Sequence, residues 1–303
     1  MPFRRARSAG RMPTPIPART CTEMNRFATK RLLEARGLAP HKRLGQNFLV
    51  DENLPLRIVA AAGLSAQERV MEVGVGLGAL TRPLAAAVHE VVGIEADSGI
   101  IRLHEEQGDL PQNVQLVHAD ILKVDLASFC RPGERLKIVA NLPYAISTPF
   151  LFRIMAQRAC LHSAVLMLQR ELALRLAARP GNKDYGAPTV LLAACADVEP
   201  LFAVPPSAFH PRPKVDSLVL RLRFFPEPER LKALGAFDRP LFTRIVRTAF
   251  ARRRKTLANA LLPLAADRAE LCAWLAAADI AATARAETLS LADYVRLCRI
   301  MQA

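Results

Sequence analysis

The chain has 303 residues, of which 51% are hydrophobic, with a formal net charge of +14 and a pI near 10.2. That apolar content excludes a disordered chain, and the length allows a large core together with a second, smaller domain. The basic excess favours a polyanionic partner, while the lack of any run of about 18 uncharged apolar residues excludes a membrane-spanning helix.

The charge is uneven. Residues 1–45 hold eleven Lys and Arg against only Glu23 and Glu34, so the rest of the chain is much less basic than the total suggests. Residues 1–27 read as a basic, disordered extension. They have the Arg-rich, acid-poor composition of a transit peptide, but Pro13, Pro15 and Pro17 would break its amphipathic helix. The six cysteines show no C-x-x-C spacing, so neither a zinc site nor any other metal is expected. Most of them read as small buried hydrophobes in a reducing, cytoplasmic compartment.

Residues 28–37 read as a short helix stopped by Gly37, and residues 52–62 as an amphipathic helix closing on Gly63. Residues 70–73 form a buried strand that runs into a glycine loop and a helix. "EVVGIEAD" is a second buried strand ending in acid, "VQLVHAD" a third ending at Asp120, and "LKIVANLPY" a fourth. "SAVLMLQREL" is a fifth, passing into a helix that fades at Arg179-Pro180-Gly181. Continuous apolar runs separated by helix-length gaps mark an α/β fold with a doubly wound, mostly parallel sheet covered on both faces. From Lys214 to Phe224 the pattern alternates, which suits an antiparallel strand at or near a sheet edge. "FFPEPER" then reads as a linker, and everything after about Leu231 as a small all-helical domain. The expected division is an extension at 1–27, a cofactor domain at 28–226 and a helical RNA-binding domain at 227–303.

Gly74-Val75-Gly76-Leu77-Gly78 stands between a strand and a helix, where glycines let a ligand approach the backbone. Glu95 ends the next strand, 21 positions beyond Gly74, where a carboxylate can accept from two ribose hydroxyls. Asp120 ends the third strand, placed for an adenine amino group. These features point to an adenosine-bearing cofactor, and both NAD and S-adenosyl-L-methionine qualify. The glycines lack the G-x-G-x-x-G spacing that suits a pyrophosphate, which favours S-adenosyl-L-methionine.

The fourth strand stops at Asn141-Leu142-Pro143-Tyr144. The exocyclic nitrogen of adenine is a poor nucleophile because its lone pair is delocalised into the ring. A side-chain carbonyl on Asn141 and the main-chain carbonyl of Leu142 can accept its two N–H hydrogens and draw it toward tetrahedral geometry. Pro143 restrains Leu142 to an extended shape. Tyr144 offers a face on which the base can stack. By itself the stretch could be only a strand-to-loop turn; its place in a sheet that carries Gly76, Glu95 and Asp120 favours the site.

The stretches "LGQNFLVD", "EVGVGLGAL", "GIEAD", "NLPYAIST" and "AFHPRPKVDSLVLRL" resemble the ribosomal RNA small-subunit adenine N6-dimethyltransferases of the KsgA type. The resemblance runs from about Thr29 to "RAETLSLADYVRL" near the C-terminus. It implies a Rossmann-like class I methyltransferase that dimethylates two adjacent adenosines near the 3′ end of 16S rRNA, with the small ribosomal subunit as partner. It also implies that Gln46, Asn47 and Leu49 cover the cofactor, that Gly74 and Gly76 pass its methionine part, and that Glu95 and Asp120 hold its ribose and adenine. Asn141 to Tyr144 then receive the target base, with Phe209 on its other face. Val75 and Ala145 depart from the family's usual proline and asparagine, and neither side chain is needed by the chemistry above.

The run from Arg239 to Lys255 holds seven basic residues and no acid. Arg252, Arg253, Arg254 and Lys255 are consecutive, and like charges so crowded favour an anionic partner, here RNA phosphate. Arg43, Arg212 and Lys214 extend the same reading. No self-association device is visible, so the chain reads as a monomer. Three rival functions share the fold: a 23S rRNA methyltransferase of the antibiotic-resistance type, a non-catalytic RNA-binding or transcription factor, and a DNA or protein-glutamine methyltransferase.

Overall fold

The computed structural model describes residues 46–224, 229–232, 234–252 and 254–302. The expected extension, the helix at 28–37 and most of the linker lie outside the described residues. Seven strands form the main sheet: β2 (Arg69–Val73), β3 (Glu90–Glu95), β4 (Val114–His118), β5 (Leu136–Asn141), β6 (Leu161–Gln169), β7 (Ala196–Val204) and β9 (Ser217–Phe224). Two short strands, β1 (Phe48–Leu49) and β8 (Phe209–His210), pair antiparallel in a separate ribbon.

The main sheet runs in the order β4-β3-β2-β5-β6-β9-β7. From β4 to β6 the neighbours are parallel, and β9 enters antiparallel between β6 and β7. Placing β2 centrally, with the chain winding outward from it in both directions, makes a doubly wound fold. The carboxyl ends of β2, β3 and β5 therefore lie side by side, where such sheets bind ligands.

Alternation along each strand divides the core. Met71, Val73, Ile138, Ala140, Leu166 and Leu220 belong to the cluster on one face; Val70, Val91, Val139, Val165 and Val219 belong to the cluster on the other. Helices Asn53–Ala62 and Thr81–Ala87 cover the second face. Arg221, partly buried on β9, donates from Nε and Nη2 to the Ala61 carbonyl at 3.2 and 2.8 Å, closing the C-terminal end of the first of these helices.

The C-terminal helices Arg239–Ala251, Arg268–Ala277 and Leu291–Gln302 bury apolar stripes; Phe242, Ile245, Val246 and Ala249 follow helical spacing in the first. Those side chains belong to the same cluster as the strand residues of the first face, so one core runs from the sheet into the helical region. Tyr185, Phe250 and Tyr294 join the two parts, with ring centroids 6.1 Å apart at each step.

Two sequence expectations change. Of the five cysteines in the described residues only Cys195 and Cys298 are buried; Cys130, Cys160 and Cys272 are half-buried, at positions where loops and helix surfaces leave them partly wet. Asp120 does not end a strand: β4 stops at His118, and Asp120 sits in the following loop, where its Oδ1 accepts from the Leu122 N–H at 3.0 Å.

A core continuous across both parts should unfold as one unit. Replacing wholly buried Ile245 with alanine is expected to cost about 2–5 kcal/mol and to shift a single urea transition seen alike by tryptophan fluorescence and circular dichroism. Two separated transitions, with only one displaced, would contradict it.

Candidate active site

The loop after β2 is shaped by its glycines. Gly74 and Gly76 have φ of 81° and 53°, in the left-handed region that favours glycine. A Cβ on Gly76 would press against the Phe48 ring at 3.4 Å. Val75 is buried and fits because Gly93 lies opposite; a Cβ there would meet Val75 Cγ2 at 2.6 Å. Ala145, the other departure from the family pattern, is exposed.

Glu95, the last residue of β3, holds this loop against its own strand. Its Oε2 accepts from the Gly76 N–H at 3.0 Å, and its Oε1 accepts from Ala96 and Asp97 N–H at 2.8 and 2.9 Å. Asp97 in turn caps helix Ser98–Gln107 by accepting from Gly99 N–H, and Gln46 donates to its Oδ2 at 2.8 Å. The loop is held from its other side as well. His104 Nε2 lies 2.8 Å from the Gly76 carbonyl; because a carbonyl only accepts, this nitrogen carries a proton. Asp109 accepts from Arg82 and lies 2.8 Å from His104 Nδ1, and Arg82 also donates to the Leu77 carbonyl.

Asn141 closes β5. Its Nδ2 donates to the Asn47 carbonyl at 3.2 Å, which commits the amino end of the amide to the protein and leaves Oδ1 as the acceptor for a ligand. Pro143 starts helix Tyr144–Ala156, so Tyr144 stands in its first turn. The Tyr144 hydroxyl is 2.8 Å from Ser217 Oγ, which is wholly buried at the start of β9. Burial raises the phenol's pKa, although the Ser217 bond pulls it back, so the ring stays neutral.

These elements enclose a cavity of about 400 Å3, within the range of small-molecule sites. Gln46, Asn47, Leu49, Gly74, Gly76, Glu95, Asp120, Asn141, Leu142, Pro143, Tyr144 and Phe209 all line it. Phe209 is only 2% exposed, with most of its surface in the core beneath β1, where it pairs with Leu49. The lining suits an adenosine-bearing group: glycines clear a path for it, Glu95 and Asp120 present carboxylates, and apolar walls surround them.

The basic residues divide. Arg212 and Lys214 are exposed on the loop between β8 and β9, and Arg252, Arg254 and Lys255 are exposed just after helix Arg239–Ala251. Arg43 and Arg253 lie outside the described residues. Arg239 and Arg247, in the same basic run, serve the fold. Arg239 donates to the Ala194 carbonyl, and the Arg247 guanidinium lies 5.4 Å from the centre of the Phe152 ring.

Sequence reasoning missed Ser217, His104 and Glu72. Nothing local marks the first two, whose partners lie 73 and 28 positions away. Glu72 had a signal: it is the lone acid in the buried strand Arg69–Val73. It is wholly buried, and its side-chain hydrogen-bond partner is Thr81, in a contact too long or too bent to satisfy either carboxyl oxygen fully. Burial pushes this carboxyl up to about 8; nearby Thr81 and Arg82 pull it down, and Glu95 pushes it further up.

A family model described as "Ribosomal RNA adenine dimethylase" matches residues 37–303. The ribosomal RNA small subunit methyltransferase A of Desulfotalea psychrophila is 44% identical over 90% of this chain and 95% of its own length. The protein of the same name from Magnetococcus marinus is 42% identical over 88% and 94%. Among solved structures, the 23S rRNA methyltransferase ErmE is similar, with a TM-score of 0.62 at 27% identity, over 85% of this chain and all of that one. A dimethyladenosine transferase from Plasmodium falciparum shares the fold, with a TM-score of 0.64 at 24% identity over 82% and 95%.

The raised pKa of Glu72 carries a sign. The folded state holds this proton while the unfolded chain releases it near 4.5. Its contribution to the stability of the ligand-free protein is therefore full below about 4.5 and is lost as pH rises toward about 8. Glu72→Gln should remove that loss. Melting curves of the ligand-free proteins should converge in acid, with the variant several degrees more stable near pH 8; parallel pH profiles would contradict the assignment.

Proposed function

The chain belongs to the ribosomal RNA adenine dimethylase family, and from that premise we propose that it dimethylates N6 of two adjacent adenosines near the 3′ end of 16S rRNA, using S-adenosyl-L-methionine, during assembly of the small ribosomal subunit. The observation that carries this reading is one cavity shared by the glycine loop, the two carboxylates and the Asn141–Tyr144 corner. A cofactor and a base held there would lie within reach of one another.

S-adenosyl-L-methionine supplies a methyl group on a positively charged sulfur. Glu95 holds the ribose, Asp120 faces the adenine amino group, and Gly74 and Gly76 leave room for the methionine part. Gln46, Asn47 and Leu49 cover it. The target base enters against the Tyr144 face, a stack worth about 1–3 kcal/mol, and Phe209 meets its other side. Asn141 Oδ1 and the Leu142 carbonyl accept the two N–H hydrogens of the base. Their grip localises the nitrogen lone pair and aims it, and positioning of this kind supplies much of the barrier reduction. The surplus proton leaves only after the nitrogen has gained its new bond, so no strong base is required. The tether from Asn141 to Asn47 and that from Tyr144 to Ser217 hold both groups still while this happens.

In this reading the exposed Arg212, Lys214, Arg252, Arg254 and Lys255, together with Arg43 and Arg253, contact RNA phosphates. They set affinity rather than base choice. Residues 28–226 form the cofactor unit and 227–303 the RNA-binding one, working as a monomer in the cytoplasm, where ribosomes are assembled. Likeness to ErmE at 27% identity keeps 23S rRNA methylation as a second reading; relatives named for the small subunit at 38–44% identity favour the first.

Small subunits lacking these marks, incubated with the protein and radiolabelled S-adenosyl-L-methionine, should yield labelled N6,N6-dimethyladenosine on digestion. Label confined to large-subunit RNA would move the assignment to the second reading. Asn141→Ala should abolish turnover while cofactor affinity stays within about tenfold, equivalent to about 1.4 kcal/mol; brisk turnover by the variant would refute the role given to the amide. Replacing Arg252, Arg254 and Lys255 with alanine should weaken RNA binding and flatten its dependence on log salt by about 0.7–0.9 for each phosphate no longer neutralised. An unchanged slope would place these cations away from the RNA.

A further inference from the structure

On helix Ser98–Gln107 the inward positions are Ile100, Ile101, Leu103 and His104. Three are apolar, and the fourth is an imidazole that is 4% exposed. Both its ring nitrogens face acceptors: Nε2 lies 2.8 Å from the Gly76 carbonyl and Nδ1 2.8 Å from Asp109 Oδ1. A neutral imidazole has one N–H, so it would serve one acceptor and turn a lone pair on the other. The proton needed between Nδ1 and Oδ1 has two possible homes. On the carboxyl it would stand beside Arg82, which donates to Oδ2 of the same group. On Nδ1 it completes an alternation of imidazolium, carboxylate and guanidinium in which every contact is satisfied. His104 also stands in the last turn of its helix, where the dipole favours a cation.

The carbonyl that His104 holds needs holding. Gly76 has φ of 53° and no side chain, so its peptide can swing at little cost. Glu95 takes the N–H of this residue, His104 takes its carbonyl, and Arg82 takes the next carbonyl. The other charged groups on the elements around the imidazole are engaged or exposed. Asp97 accepts from Gly99 N–H and Gln46, and Glu72 on β2 is within electrostatic reach of Arg82. His118 on β4 is exposed and lies 3.3 Å from the Ala96 carbonyl, and Arg102, Glu105 and Glu106 are exposed on the helix itself.

We propose that His104 works as an imidazolium, a positioning residue whose second proton keeps the glycine loop in the shape that receives the cofactor, so that loss of this proton weakens cofactor binding. The inference rests on the cofactor reading above. The step is acid–base only: the Nδ1–H bond breaks, the proton goes to solvent, and the nitrogen keeps the electron pair. That pair then faces the Asp109 carboxylate at hydrogen-bond distance. Repulsion turns the ring or displaces the carboxylate, and either motion loosens the Gly76 carbonyl. The protonated form binds the cofactor better, so His104 makes affinity fall as pH rises through its own titration.

NMR of the folded protein labelled with 15N-histidine reports the charge of each ring, and His104→Gln identifies the signal among the six histidines. The wild-type protein should show both His104 nitrogens protonated. Its affinity for S-adenosyl-L-methionine is then measured by calorimetry across pH, beside two variants. The ligand's amine and Glu72 also titrate, but alike in all three proteins, so ratios of affinity isolate His104. His104→Gln should bind about tenfold more weakly while the wild-type ring is charged, and the gap should close as that ring loses its second proton. Asp109→Asn is the sharper test. Its amide donates to Nδ1 of a neutral ring and still accepts from Arg82, so the loop stays anchored and the contribution of His104 to the pH profile disappears. A fold-supporting role alone would lower the melting temperature of both variants without changing that profile. A His104 ring protonated on one nitrogen only, or affinity ratios that ignore its titration, overturns the inference and leaves the cofactor reading intact. No binding of the cofactor by wild-type protein shown to be folded overturns the cofactor reading and the inference with it. Should one variant not fold, the other supplies the ratio and the wild-type ring signal decides the charge.

Discussion

Three main-chain N–H groups converge on the Glu95 carboxylate, and the geometry of the cavity follows from that convergence. One donor, Gly76, belongs to the loop after β2; the others, Ala96 and Asp97, belong to the turn after β3. A single side chain thus fixes two strand ends relative to each other. The loop can accept this only with positive φ at Gly74 and Gly76, which is why glycine stands at both. On the far side His104 and Arg82 hold the loop's carbonyls, with Asp109 behind them. The loop is clamped through both its donors and its acceptors, so the path a ligand would follow exists before the ligand arrives.

The corner from Asn141 to Tyr144 is tied by longer-range contacts. Asn141 reaches back 94 positions to Asn47, and Tyr144 reaches forward 73 positions to Ser217. Both tethers depend on the sheet order. Asn47 comes over the cavity because β1 pairs with β8, which also carries Phe209. Ser217 sits beside Gln169 because β9 inserts next to β6. Segments from four parts of the chain meet over the ends of β2 and β5, and none would hold its side chain in place alone.

How much of this the sequence disclosed depends on how local the cause was. The central strands were legible because both their faces are buried and apolar runs result. The helix ending at Gly63 was legible because its stop signal is local; Gly63 has the expected left-handed φ of 58°. Strand β7 was not legible. "ADVEPLFAV" carries Glu199 and Pro200 and reads as a loop, yet an edge strand tolerates proline, and the register shifts there, between Pro200 and Phe202. The two-residue strands β1 and β8 have no periodicity to detect. Asn141, Glu95 and the glycines announced themselves by residue type at a strand end. Ser217 did not, because a serine becomes meaningful only when the fold sets a phenol beside it. The basic run from Arg239 was legible as charge but not as a division of labour, since which cations pack on Phe237 and Phe152 is settled by helix phase and neighbours.

That division has a physical consequence. The cavity is acidic inside, and the exposed residues at 212, 214, 252, 254 and 255 are basic. The two signs suit the two substrates that the proposed reaction brings together, a cofactor with a positive sulfur and a polyanion. They also work at different ranges. Exposed cations would act on RNA through water, where salt screens them over roughly 8–10 Å, so they could gather a polyanion but could not orient a single base. Inside the cavity, between apolar walls, a carboxylate or an amide acts over one contact and is less screened. Capture and alignment can therefore be set by different residues, and a change in one need not disturb the other. The acidic interior adds selectivity of its own: a phosphate that strayed toward it would meet Glu95 and Asp120 as like charges, whereas a neutral, flipped base would not.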